Sequence, residues 1–184
     1  MTGEKARMMQ ELLMLAEKAG FSHMGELNVS KLSFLPQVRE MCAADRCRNY
    51  GRSWTCPPYC GTLEEISARA MQFRRGILVQ STGMMEDDFD IECMMETEQL
   101  QKERFLSLVE QVRERFPDCL PMAAGACMIC KQCTCPNEPC RFPKRAIPSM
   151  EAYGLVVSQV CEDSGIPYYY GPKTITYTSC ILID

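Results

Sequence analysis

Histidine is almost absent: His23 is the only one in 184 residues. That excludes every metal site needing two imidazoles, including two-cysteine, two-histidine zinc fingers and Rieske-type ligation. It also leaves a single imidazole for acid–base work. No Gly-x-Gly-x2-Gly follows a predicted strand, and no phosphate-loop pattern occurs. Hydride chemistry with a nicotinamide cofactor is therefore unsupported. The net charge is only −4 and no basic patch stands out, which argues against nucleic acid as a partner. No apolar run approaches the length of a membrane span. The N-terminal stretch carries Glu4 and Glu11 in an amphipathic pattern and lacks the apolar core of a signal peptide. A cytoplasmic protein without membrane attachment is expected. No repeat, low-complexity tract or flexible linker interrupts the chain. Residues 1–184 are expected to form one domain, and 46% hydrophobic residues suffice for a sizeable core.

Cysteine, by contrast, is abundant, with thirteen residues. A disulfide framework is not expected in a reducing cytosol, where dense cysteine more often means metal. Five fall within 127–143, at Cys127, Cys130, Cys133, Cys135 and Cys140. This stretch is rich in polar residues and proline and has no helical or strand face. Cys127, Cys130 and Cys133 repeat every third residue, so the backbone must wrap to turn all three inward. Cys140, beside prolines, can close a fourth side. A Cys-x2-Cys-x2-Cys run with a more distant cysteine suits a four-iron four-sulfur (4Fe-4S) cluster. Zinc is the alternative, although four-cysteine zinc sites normally use two separated Cys pairs.

A second group lies at 42–61, with Cys42, Cys47, Cys56 and Cys60 at irregular spacing. Pro57, Pro58 and Gly61 mark a rigid loop. Thr62 and Glu65 then form a capping-box pattern ahead of Leu63, Ile66, Ala70 and Phe73. The free N–H groups of that helix start favour thiolates at Cys56 or Cys60.

The remaining pattern predicts an α/β fold, with a mixed sheet of about four or five strands and packed helices. Helices are expected over 4–19, 63–74, 91–116 and 149–163, the last capped by Ser149, and a short one opens at Pro36. Gly76–Gln80 reads as a buried strand, and Leu120–Ala124 as a short one. Phe21–Leu27 and Leu32–Leu35 read as strands or edge segments. Residues 173–183 alternate as a terminal strand, in a hairpin with Tyr168–Tyr170. Met84–Asp90 reads as a solvated acidic loop. Cys93, Cys119 and Cys161 read as small buried apolar residues.

The blocks Cys42-x4-Cys47-x2-Tyr50-Gly51-x2-Trp54-x-Cys56-Pro57-Pro58 and Gly125-x-Cys127-x2-Cys130-x2-Cys133-x6-Cys140-Arg141-Phe142-Pro143 resemble the DUF2284 family of predicted metal-binding proteins. The similarity extends through Pro148–Gly154 and the Thr174–Tyr177 strand, nearly the whole chain. It implies metal ligation by Cys42, Cys47 and Cys56, and by Cys127, Cys130, Cys133 and Cys140. Cys60 and Cys135 lie outside the family pattern, and the family implies no particular reaction.

Three functions are compatible with these features. The first is a 4Fe-4S protein, with one or two clusters, serving as a redox protein or cluster-dependent enzyme of anaerobic metabolism. It would have a redox protein partner, and Lys131, Arg141, Lys144 and Arg145 would favour the more negative, reduced cluster. The second is a structural zinc module that binds a protein or small molecule. The third, a cysteine nucleophile or thiol redox enzyme, lacks a thioredoxin-type Cys-x2-Cys at a strand–helix junction. For the first loop two arrangements follow. With Cys60 as fourth ligand the site is closed. With Cys60 turned outward, one metal position is open to substrate. The Pro57-Pro58 pair restricts the chain and favours the open arrangement.

Overall fold

The long strand β2 (Arg75–Met84) and the terminal strand β4 (Thr174–Ile183) pair antiparallel over ten residues, from Arg75 opposite Ile183 to Met84 opposite Thr174. The computed structural model describes residues 2–184. Strand β1 (His23–Glu26) lies on the free edge of β2, and β3 (Leu120–Met122) lies on the other edge of β4, giving the order β1-β2-β4-β3. All three strand pairings are antiparallel. The sheet is therefore antiparallel and not mixed as expected, because the parallel bridge between Ala123 and Ser149 is isolated and lies outside the named strands. The fold is α/β with four strands.

Side chains alternate across the sheet, and in its inner half both faces are covered. On one face Ile77, Val79, Ile181 and Ile183 pack against α1 (Thr2–Lys18) and α4 (Ile91–Arg115). Met9, Leu12 and Ala16 form the buried stripe of α1, and Gly20, at φ +87°, ends that turn where a side chain would be strained. Phe105, Leu108, Val109 and Val112 supply the stripe of α4. Asp90 caps this helix by accepting from the Cys93 N–H at 3.0 Å, while Arg113 and Arg115 occupy its last turn, the favourable end for cations.

On the opposite face Leu78, Cys180 and Leu182 pack under α3 (Leu63–Ala70), α5 (Val157–Asp163) and the segment around Met150–Leu155. The capping box of α3 is complete: Glu65 N–H donates to Thr62 Oγ1 at 3.2 Å, and Thr62 N–H donates to Glu65 Oε2 at 2.8 Å. α2 (Pro36–Ala43) opens with proline at its first turn, where the missing N–H costs no hydrogen bond.

Four further expectations are corrected. The helix anticipated over 149–163 begins only at Val157. Ser149 does cap a turn, its Oγ accepting from the Ala152 N–H at 3.1 Å, but Gly154 at φ +86° ends that turn. Leu32–Leu35 is not a strand; a 3-10 turn at Val29–Lys31 precedes it. Tyr168–Tyr170 does not form a hairpin, because β4 finds its partners in β2 and β3. Cys93 is half-buried, donating to the Met84 carbonyl at 3.4 Å, whereas Cys119 and Cys161 are buried. Among the described residues no helix is long and apolar enough to cross a membrane.

Leu78 is fully buried in the second of these cores. Leu78→Ala is expected to lower unfolding stability by about 3 kcal/mol. Exposed Met41→Ala should stay within about 0.5 kcal/mol of the parent. Urea denaturation compares the two; equal effects would contradict this packing.

Candidate metal centre

The second cysteine loop leaves the sheet at the end of β3 and returns beside its own start. Ala123 N–H donates to the Pro148 carbonyl at 2.8 Å, and Met150 N–H donates to the Ala123 carbonyl at 3.1 Å. This clamp fixes both ends of the loop. Within it, Cys127, Cys130, Cys133 and Cys140 line one small cavity. Cys135 does not line it and is buried elsewhere in the loop.

The other wall of the cavity comes from the first loop, through Ser53, Trp54 and Thr55. Trp54 Nε1–H donates to the Glu138 carbonyl at 3.0 Å and reaches Thr134 Oγ1 at 3.3 Å, so the indole ties the two loops together. Burial raises the Cys133 pKa, but the N–H groups of Cys135, Trp54 and Thr134 and the Ser53 hydroxyl face its sulfur. Together they leave the thiol below its ordinary value of 9.0. These donors favour a thiolate. Burial raises Cys127, which also feels the charges of Cys140, Cys130 and Cys133.

The first loop starts at the end of α2. Cys42 Sγ lies 4.0 Å from the Glu151 carbonyl oxygen, and Cys60 Sγ lies 3.8 Å from that of Ala152. Both sulfurs therefore rest on one turn, the Ser149–Gly154 segment that follows the second loop. The N–H groups of Tyr59 and Cys60 both donate to the Cys56 carbonyl, at 3.0 and 3.2 Å. The chain thus turns back after the proline pair, and Cys60 is partly buried against the second core. Burial pushes Cys56 up to about 11, against donation from Ser53 and Thr55, and the charges of Cys47 and Cys60 add to it. Burial also raises Cys42 and Cys60; Cys47 adds to the rise at Cys42, whereas at Cys60 the Arg39 charge opposes it and Cys42 adds a smaller rise. The influences thus link Cys42 with Cys47, Cys47 with Cys56, Cys56 with Cys60 and Cys60 with Cys42. All thirteen cysteines are free thiols. Among the described residues, no three His, Cys, Asp or Glu side chains are drawn in tightly as a closed metal-holding set.

The family model described as predicted metal-binding protein (DUF2284) matches residues 25–183. The chain belongs to the DUF2284 family. Metal binding is the property that membership supports. No curated protein and no solved structure matches the chain.

Several residues of this DUF2284 protein at the two loops escape a reading of cysteine spacing. Ser53 and Thr55 flank Trp54 and supply donors near sulfur. Arg39 stands three residues before Cys42 on α2, and its Nη2 donates to the Gly61 carbonyl at 3.0 Å. Its helical spacing to Cys42 was the available signal. Two of the flanking cations hold the loop in place: Arg141 donates to the Gln132 carbonyl at 3.0 Å, and Arg145 pairs with Glu110 at 3.3 Å. His23 stacks on Tyr170 with ring centroids 3.8 Å apart, and does not line the thiol cavity.

A second, mostly apolar cleft of about 440 Å³ lies between α4 and the second loop, and shares Cys127 with the thiol-lined cavity. Lys102, Phe105 and Met128 are among the residues lining it.

Thiolate is the form that alkylates. In metal-free, reduced protein, Cys133 should react with iodoacetamide at mildly alkaline pH at least about tenfold faster than Cys56. Its larger thiolate fraction outweighs the lower nucleophilicity of a more acidic thiol. Peptide mass spectrometry reads the two rates; similar rates would contradict the donor arrangement at Cys133.

Proposed function

We propose that this protein holds a 4Fe-4S cluster on Cys127, Cys130, Cys133 and Cys140, and acts as a redox protein or cluster-dependent enzyme. One observation carries the reading: four thiols in a Cys-x2-Cys-x2-Cys…Cys arrangement line one cavity. The donor set fits the group, since all four ligands are soft sulfur. When bound, such a cluster supplies one-electron chemistry.

The chain's own residues would tune and shield it. N–H groups at the Cys133 sulfur spread its negative charge and raise the reduction potential, as hydrogen bonds to cluster sulfurs do. Trp54 covers one side and limits water access. The cleft beside Cys127 supports a cluster-dependent reaction over a purely structural role, because a small molecule held there would lie against a ligating residue. In the redox reading an electron-transfer protein is the partner. The free thiols suit a reducing compartment, the cytoplasm.

The test is iron, sulfide and zinc analysis of anaerobically purified protein, with absorption and paramagnetic resonance spectra. Iron and sulfide in equal amounts are expected. Cys127→Ser should abolish the cluster signal of this loop, and Cys135→Ser should leave it intact. Zinc without sulfide would replace this reading with the structural module. Loss of the cluster in Cys135→Ser with retention in Cys140→Ser would overturn the ligand assignment.

A further inference from the structure

Arg39 poses a problem of charge and hydrogen bonding. Its Nη1 is buried and has no hydrogen-bond partner, although Nη2 is satisfied by the Gly61 carbonyl. A buried guanidinium N–H without an acceptor is destabilising, and the natural remedy is an anion. Among the groups that feel its charge are two thiols, Cys42 and Cys60. Cys42 lies one helical turn on from Arg39 on α2. Cys42 and Cys60, from opposite ends of the loop, rest on the consecutive carbonyls of Glu151 and Ala152. Cys56 is joined to Cys60 by a backbone hydrogen bond of 3.2 Å. Cys47 is exposed, and its charge is felt by both Cys42 and Cys56.

We propose that Cys42, Cys47, Cys56 and Cys60 hold a second, closed metal centre with four thiolate ligands, and that Arg39 donates to it and offsets its negative charge. Four thiolates around a divalent ion, or around a 4Fe-4S cluster, leave a net negative centre. The orphaned Nη1 then acquires its acceptor. The ligand class is a thiophilic metal, either a single ion such as zinc or an iron–sulfur cluster. A closed centre has no free position for substrate, so its role is structural or electron-transferring. Chemistry on a small molecule belongs instead at the cleft beside Cys127. This inference does not rest on the cluster proposed for the second loop.

The experiment compares wild type, Cys60→Ser, the double variant Cys130→Ser/Cys133→Ser, and the triple combination. Metal and sulfide are measured after anaerobic purification, and cobalt(II) is titrated into the metal-free proteins. Sulfur-to-cobalt charge-transfer absorption reports thiolate ligation. The double variant should keep metal and the cobalt–thiolate band, and adding Cys60→Ser should abolish both. Cys60→Ser alone should lose the first-loop share while the second loop keeps its own. Sulfide in the double variant would identify a cluster, and zinc alone a single ion. Arg39→Met, with its helical content checked by circular dichroism, should release first-loop metal to a chelator about ten- to a hundredfold faster, the usual size of such supporting contacts. If the double variant binds nothing while Cys60→Ser matches wild type, the centre does not exist. Unchanged release from Arg39→Met would remove Arg39 from it. Failure of the second-loop reading looks different: metal would survive Cys127→Ser in full and vanish in Cys60→Ser.

Discussion

The ten-residue ladder between β2 and β4 is the constraint on which the rest of this structure depends. Its inner half is covered on both faces, by α1 and α4 on one side and by α3, α5 and the Met150–Leu155 segment on the other. Pairing a long strand with the chain's last strand commits distant parts of the sequence to one register. A one-residue slip would exchange Ile77 and Val79 with Leu78 and Gln80, sending each set to the wrong core. With the ladder in place, β3 pairs through Leu120–Met122 and delivers the chain to Cys127.

The cysteine loops have a different basis. Neither has regular structure or a hydrophobic face of its own, and both depend on the segment 148–154. That segment clamps the ends of the second loop through Ala123 and receives Cys42 and Cys60 of the first. Trp54 then joins one loop to the other. Long irregular loops carry a large ordering cost that few apolar contacts here offset. Metal bound to their thiolates would supply that stabilisation directly, since metal binding and folding of such loops share one free energy. On this account the site is a joint product of two loops, with Ser53, Trp54 and Thr55 as much a part of it as the sulfurs.

Much of this was legible in the sequence, and the exceptions have physical causes. The Cys-x2-Cys-x2-Cys spacing is local, so it predicts convergence on one cavity without knowledge of the fold. The Thr62–Glu65 capping box and the apolar stripe of α4 are local too. The outer half of β2 carries no apolar run, since Ser81, Thr82 and Gly83 are small or polar. They are held by pairing with β4, including contact between the Thr82 and Thr176 hydroxyls at 3.0 Å. The start of α5 was misplaced because Gly154 takes a positive φ in a turn that packing selects. The partial burial of Cys60 depends on a turn onto the Cys56 carbonyl and on a surface from residues ninety positions away. Arg39 carries no signal in the sequence beyond its helical spacing to Cys42, because its buried, unpartnered nitrogen exists only in the folded chain, where the other nitrogen holds the Gly61 carbonyl.

Anomalous diffraction at the iron and zinc absorption edges, from crystals grown without oxygen, tests the central claim most directly. It identifies each metal and the sulfurs around it in one measurement. The account predicts iron, arranged as a cluster, bounded by the sulfurs of Cys127, Cys130, Cys133 and Cys140, with Cys135 apart. Zinc alone at that position, or iron bound by Cys135 with Cys140 remote, would contradict it.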